Sequence, residues 1–275
     1  MSAIAWENLP RMPGPWPIDE RIKCARSKRW RLENVATTTS TPGSGFMQDS
    51  QSLNRWGGVA SLYNAMSYFA GMIYFLLFVD YTSARDPQDK LALLVAHYPG
   101  IIAMNLIIYV IFGIMLVFLV LSIHENLKDG ANILRAGTVF GFLWAGVVIS
   151  SGMILNVGAG VALEIHQQDA SAAASFWHII STIGDALGGG VEILGGLWMA
   201  FISVAGLRTR KFPASLHYLG LLVGVAGCLT IVPVAGEIGG AIFGLGQIPW
   251  FLWTGIYLLF GSRNPVDRQT QASSL

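Results

Sequence analysis

The sequence predicts an all-α polytopic membrane protein, built as a bundle of six transmembrane helices with both termini in the cytoplasm. The first observation is composition, since 53% of the 275 residues are hydrophobic and only 12% are charged, unlike a soluble domain. The second is a mean hydropathy of +0.54. The third is a series of apolar runs of the length, roughly 20 residues, that crosses a hydrocarbon core about 30 Å thick.

The chain begins with a polar, basic arm, residues 1–55, which we expect to be disordered. Its Pro-, Thr- and Gly-rich stretches hold too few aliphatic side chains to form a core. Nothing before residue 47 resembles the apolar segment of a cleavable signal peptide. The RIKCARSKRWR run is expected either to hold the arm inside or to lie on anionic headgroups. In an alternative interpretation, Met47 is the true start.

Six apolar runs occupy the transmembrane domain, residues 56–261, and a short polar tail, residues 262–275, follows it. The runs are mostly free of charge, as expected of helices in contact with lipid. Polar and basic segments separate them and mark the loops. The predicted helices are 57–79, 100–123, 136–163, 176–207, 214–232 and 242–260.

The basic residues divide the loops into two groups. All but two of the 17 Lys and Arg residues lie in the arm, the second loop, the fourth loop or the tail, and the exceptions are Arg85 and Lys90. Because Lys and Arg in short loops are retained on the cytoplasmic side, this asymmetry predicts an even number of helices with both ends inside. Both termini and the basic loops are therefore expected on the cytoplasmic side of a cell membrane.

The fourth predicted helix contains the stretch GDALGGGVEILGG, with two carboxylates among six glycines. On a regular helix seven residues turn about 700°, so Asp185 and Glu192 should share one face, roughly 10 Å apart. His178 and Ser181 continue this face, and Glu237 is expected on the same, outer side of the membrane.

Glu192 is the carboxylate that we place firmly inside the membrane. It precedes Arg208, the first inner charge, by about 24 Å of helix, within a core of about 30 Å. Asp185 reaches the outer interface. An ionisable side chain at the depth of Glu192 is expected to face the bundle interior or water, because exposure to lipid costs at least a few kcal/mol.

The glycines of this stretch allow two interpretations. Gly184, Gly188 and Gly196 place small residues at intervals that let a neighbouring helix approach closely. Alternatively, the run of glycines from 188 to 190 interrupts the helix, as in transporters whose unwound backbone lines a binding site.

The remaining sequence motifs disfavour several enzyme classes but do not assign a function. CxxC, HExxH, P-loop, GxSxG and dinucleotide-binding patterns are missing from the sequence, which disfavours the common enzyme classes. Cys24 and Cys228 lie in separate parts of the chain and are expected to be free thiols. Asn64, Asn105 and Asn156 are expected to hydrogen-bond between helices. The sequence assigns no cofactor and no metal.

A resemblance covers roughly residues 55–260. The segment GGLWMAFISVAGLRTRKFPASLHYLGLLVGVAGCLTIVP, followed by QIPWFLWTGIYLLF, resembles a bacterial family of six- or seven-helix membrane proteins that carries only a domain-of-unknown-function label. The resemblance implies the fold. It brings no substrate, cofactor or catalytic residue.

Three functional hypotheses remain, and in each the lipid bilayer is a partner and nucleic acid is not. The leading one is a small transporter-like or cation- or proton-responsive protein with an outward-opening pocket. That pocket is expected to contain Glu192, Asp185, His178, Ser181 and Glu237. The second is an accessory subunit that docks a partner membrane protein, or a second copy, through the glycine-rich fourth helix. The third is a membrane enzyme or haem protein.

Overall fold

The computed structural model describes residues 42–189 and 192–261, a helical region without β-strands. The chain divides into two units, residues 1–49 and 50–275, and the side-chain contacts and cavities described below belong to the second. The predicted tail, 262–275, and the first 41 residues of the predicted arm lie outside the described residues.

Eight α-helices make up most of the described residues. They are α1 Pro42–Ile73, α2 Pro87–Asn105, α3 Phe112–Asn126, α4 Ala131–His166, α5 Ala170–Gly184, α6 Ile193–Thr209, α7 Ala214–Leu229 and α8 Gly236–Ile256. Four π-helical segments continue or join them: Tyr74–Phe78, Leu106–Ile111, Asp185–Gly189 and Tyr257–Gly261. Short 3-10 turns lie at Tyr81–Ser83 and Lys128–Gly130.

The described residues confirm the all-helical class, and several of the helical runs are long and apolar enough to cross a membrane. Within the described residues there are five of them: Gln51–Phe78, Pro87–Asn126, Asn132–His166, Ala170–Thr209 and Gly236–Gly261. The remaining predicted span, 214–232, corresponds to α7, which has only 16 residues and a length of about 24 Å. It ends before Pro233, whose ring lacks the N–H that a longer helix would need.

α1 begins earlier than composition suggests. Residues 42–55, assigned to the disordered arm, belong to this helix. One reason is a polar contact with α3, in which Asn54 Oδ1 accepts hydrogen bonds from Asn126 Nδ2 at 2.7 Å and Ser122 Oγ at 3.3 Å. Asn54, Ser122 and Asn126 thus satisfy one another at the contact between α1 and α3, which supports a helical conformation at Asn54.

The second span also begins earlier than predicted, at Pro87 instead of residue 100. Asp86 caps α2 by accepting a hydrogen bond from the Asp89 backbone N–H at 2.8 Å, and proline suits the first helical position. The helix kinks at His97 (φ −116°, ψ 17°), two residues before Pro99. The proline ring removes a helical hydrogen bond and clashes with the preceding turn, which accounts for the kink.

Two hydrophobic clusters hold the bundle together. The larger one is built on aromatic contacts: Trp144 packs against Trp198 with ring centroids 5.6 Å apart, and Trp198 packs against Trp250 at the same distance. The smaller one joins α2, α4 and α5 around Leu94, Ala159 and Trp177. The amino-terminal part of the second span, which begins earlier than predicted, therefore packs into a hydrophobic cluster of its own.

Candidate functional site

The fourth span is broken where its glycines are concentrated. α5 ends at Gly184, the π-helical segment Asp185–Gly189 follows, and α6 starts only at Ile193. Gly188 has non-helical dihedral angles. The prediction of one regular helix, with Asp185 and Glu192 on a single face, is therefore wrong. Glycine is a poor helix former because it loses the most backbone entropy, and consecutive glycines favour the interruption.

Glu192 lies at this break, and hydrogen bonds to α4, to Thr230 and to the first turn of α6 hold it; in the last of these its backbone carbonyl accepts from the Gly196 N–H at 2.8 Å. The Glu192 backbone N–H donates to Thr230 Oγ1 at 2.8 Å, and its Oε2 accepts from Trp144 Nε1 at 3.2 Å. The residue is only 9% exposed. It immediately precedes α6, and the amino-terminal end of a helix favours negative charge. The carboxyl group is therefore fixed in position inside the bundle.

A cavity of about 320 Å³ lies beside this carboxyl group, and we call it the glutamate cavity. It is formed mainly by α1, the Leu106–Ile111 segment and α8. α8 contributes Gly240, Ala241 and Gly244, and a Cβ atom added to either glycine would meet no atom within 4 Å. The cavity exists because α8 presents small residues at this level.

The wall of the glutamate cavity carries one charged group. Apart from Glu192, its polar side chains are the hydroxyls of Ser67, Tyr68 and Tyr109, and none of the described residues that line it is Lys, Arg or His. A buried carboxylate without a cationic partner costs several kcal/mol of desolvation free energy. Binding of a proton or a cation removes that cost, so the arrangement is suited to taking up positive charge.

Asp185 lines a different cavity, of about 240 Å³, which we call the aspartate cavity. Ser181 and Lys90 line it as well. Phe75 and Tyr109 line both cavities and form a shared wall. Asp185 and Glu192 therefore line separate cavities.

Two predicted pocket residues line neither cavity. His178 is exposed, and its backbone carbonyl accepts hydrogen bonds from Ser181 Oγ at 3.1 Å and Thr182 Oγ1 at 2.8 Å. Glu237 is exposed in the first turn of α8. The structure thus separates the five predicted residues into Glu192 alone, Asp185 with Ser181, and two surface positions.

Three π-helical segments supply residues around the shared wall. Phe75 belongs to Tyr74–Phe78, Tyr109 to Leu106–Ile111 and Asp185 to Asp185–Gly189. π-Helical turns are rare and are found frequently at functional sites. Their convergence on the two cavities marks this region of the bundle.

The glycines proposed for helix packing contact other helices of the same chain. A Cβ atom at Gly184 would lie 2.8 Å from Leu155 Cδ2, and one at Gly188 would lie 3.2 Å from Val148 Cγ2, both on α4. One at Gly196 would lie 2.6 Å from the Gly224 carbonyl oxygen of α7. Small residues are needed at these approaches, most strictly at Gly196, where the neighbour is backbone.

Several residues of the site carry no obvious signal in the sequence. Trp144 resembles any other packing tryptophan, and Thr230 is an ordinary loop residue. Lys90 does carry a signal, because it is one of the two basic residues outside the loops and termini that we assign to the cytoplasm. Of the asparagines, Asn105 Nδ2 does donate to Asn156 Oδ1 at 3.0 Å, but Asn64 makes no side-chain hydrogen bond within the described residues.

The described residues contain no group of three or more His, Cys, Asp or Glu side chains placed to hold a metal ion. No protein-family model, curated protein or solved structure matches the chain. The resemblance to a membrane-protein family stays a prediction, and a functional argument has to come from the geometry of the two cavities.

Proposed function

We propose that the protein is a transporter-like or cation- or proton-responsive membrane protein, and that the Glu192 carboxyl group takes up the positive charge. The supporting observation is that, among the described residues, Glu192 is the one acidic or basic side chain in the wall of a 320 Å³ cavity between the helices. Ionisable groups at membrane depth face such interiors and mark ion or proton pathways in transport proteins.

Buried polar atoms between this cavity and the end of the bundle that we assign to the cytoplasm support a path for protons or cations in addition to a binding pocket. Ser61 Oγ of α1 donates to the Phe251 carbonyl of α8 at 2.7 Å, and Gly58 of α1 lies beside Gly255 of α8. The two helices therefore run antiparallel, and we infer that Asn64, one turn after Ser61, is level with Gln247. Both amides are buried, and within the described residues neither makes a hydrogen bond. Buried polar groups normally have partners, often ordered water.

Further buried polar groups without a hydrogen-bond partner among the described residues lie towards the end of the bundle that we assign to the cytoplasm. The Ser203 hydroxyl, the Thr254 hydroxyl and the Trp250 indole N–H are also buried and make no hydrogen bond within the described part of the chain. Ser203 and Trp250 lie against Gly220, and Trp250 and Thr254 line a further small cavity. A row of hydrated polar groups would connect the glutamate cavity with the end that we assign to the cytoplasm.

The alternative of an accessory subunit depends on a glycine face that is free to dock a partner. Gly184, Gly188 and Gly196 instead pack against α4 and α7 of this chain. This leaves the cavity hypothesis as the proposal with direct geometric support.

Glu192→Gln tests the proposal, since it keeps the shape of the side chain and removes its charge. The wild-type melting temperature is expected to rise when protons or cations are supplied, because a ligand that binds only the folded state stabilises it by mass action. In Glu192→Gln this response should vanish, while the fold is kept. The measurement is thermal unfolding of the purified protein across pH, with and without monovalent and divalent cations.

Glu237→Gln is the matched control, because Glu237 is an exposed carboxylate that lines neither cavity. It should keep the wild-type response. A response that survives in Glu192→Gln would remove this residue from the site.

We further propose six membrane crossings in a bacterial cytoplasmic membrane, with both termini inside, on the charge asymmetry of the loops. Reporter fusions after residues 128, 210 and 265 are then expected to be cytoplasmic, and those after 88, 168 and 237 external. The fusions after residues 237 and 265 also test α7. If this short helix does not cross the membrane, the fusion after 237 becomes cytoplasmic and the fusion after 265 becomes external. Inversion at any two sites would contradict the proposed topology.

A further inference from the structure

We infer that the aspartate cavity is a second binding site, whose ligand is a small zwitterion carrying one ammonium and one carboxylate or phosphate group. The site is separate from the glutamate cavity and does not depend on the proposed role of Glu192. The aspartate cavity combines two opposite charges with polar donors and a volume that suits a small molecule.

The two charges of the cavity are Lys90 and Asp185. Lys90 projects from the first turns of α2, and Asp185 belongs to the π-helical break of the fourth span. Within the described residues, neither the Lys90 ammonium nor the Asp185 carboxylate makes a hydrogen bond or an ion pair. The two opposite charges attract each other across one cavity but do not form a close ion pair within the described residues.

A ligand with both charges suits this pair better than a ligand with one. A cation bound at Asp185 would be repelled by Lys90, and an anion bound at Lys90 would be repelled by Asp185. A zwitterion places its ammonium at Asp185 and its anionic group at Lys90, so both protein charges gain a partner. Charge-assisted hydrogen bonds of this kind are about twice as strong as neutral ones.

Polar donors complete the wall. The indole N–H of Trp177 is buried and makes no hydrogen bond of good geometry, although it lies near the Tyr81 hydroxyl. Burial, chiefly, raises the pKa of the Tyr81 hydroxyl, so it remains protonated and able to donate. Both groups can donate to the anionic end of the ligand. The rings of Phe75, Tyr81 and Tyr109 can contact its ammonium end.

The volume limits the size of the ligand. At about 240 Å³ the cavity is smaller than the roughly 300–1,000 Å³ typical of sites for drug-sized molecules. A free amino acid has the required chemistry and scale, and so does the headgroup of an ethanolamine phospholipid. The shared chemistry is an ammonium group a few bonds from an anionic oxygen.

The test is thermal unfolding of the purified full chain with glycine, β-alanine and γ-aminobutyrate, which differ in the separation of their charges. At least one should raise the melting temperature by several degrees at a concentration about 100 times its Kd. Methylammonium and acetate, each with a single charge, should not. Lys90→Met and Asp185→Asn should each abolish the shift, whereas Arg85→Met and Glu164→Gln, which change exposed charges outside the cavity, should keep it.

A second arm distinguishes the two sources of the ligand. If free zwitterions have no effect, nanodiscs of phosphatidylethanolamine should raise the melting temperature relative to phosphatidylglycerol, and only when Lys90 and Asp185 are both present. No shift in either arm, or an equal shift in Lys90→Met, would overturn the inference and leave the two residues as charges without a ligand. Glu192→Gln should keep the zwitterion shift, so failure of this site and failure of the proposed function are distinguishable.

Discussion

Gly196→Ala is expected to destabilise the protein by about 2–3 kcal/mol, in the upper range for overpacked cores. The added methyl group would lie 2.6 Å from both the Gly224 carbonyl oxygen and the Cys228 backbone nitrogen. Backbone atoms of α7 cannot move aside as the end of a flexible side chain can. The two helices must separate, and packing along their whole contact weakens. Gly196→Leu should prevent folding altogether.

Gly146→Ala is the matched control for this prediction, because it makes the same change in the interior of α4. A Cβ atom at Gly146 would meet nothing within 4 Å, so no contact has to move. Alanine is the better helix former by up to about 1 kcal/mol, and this variant should be neutral or slightly stabilised. Melting temperatures of the two purified variants, compared with wild type, give the result. Equal stability of Gly196→Ala and Gly146→Ala would refute the close approach of α6 and α7.

Gly244→Phe is expected to abolish the proton or cation response with Glu192 still in place. Gly244 lines the glutamate cavity, and the space beside its Cα atom is open. A benzyl group there would occupy much of the 320 Å³ without touching the hydrogen bonds of Glu192. The stability of the fold should change little, since the ring fills space and displaces no packed atom.

Ile242→Phe is the control for the filled cavity. Ile242 is 40% exposed, lies two residues away on α8 and does not line the cavity, so its variant should respond like wild type. The measurement is again the melting temperature across pH and cation concentration. A full response in Gly244→Phe would show that positive charge reaches Glu192 by a route other than this cavity.

The broken fourth span shows where inference from sequence reached its limit. Periodicity places Asp185 and Glu192 on one face only if every residue between them is helical, and Gly188, with its non-helical dihedral angles, violates that condition. The interruption was one of two interpretations of the glycines from 188 to 190. The choice between them depends on what packs against the segment, here Val148 of α4 and Thr230 after α7, and neither neighbour is visible from local sequence.

The early starts of α1 and α2 have a similar explanation. Polar residues before an apolar run indicate a loop when the run is considered alone. Asn54 instead pairs with Asn126 of α3, and the first turns of α2 pack into the smaller cluster around Leu94 and Trp177. Tertiary contacts extended both helices beyond the length that a bilayer requires.

The sequence by itself determined the helical, membrane-type class and the approximate position of each apolar helix, because hydropathy and the period of a helix are local properties of the chain. It also singled out Glu192, because a carboxylate so far from the nearest loop charge is unusual. Only the tertiary structure decided that Glu192 faces a cavity beside Trp144 and that Asp185 shares another with Lys90. The physical reason is that a cavity is formed by residues distant in sequence, such as Gly244 opposite Tyr68, whose shared surroundings arise only when the helices pack.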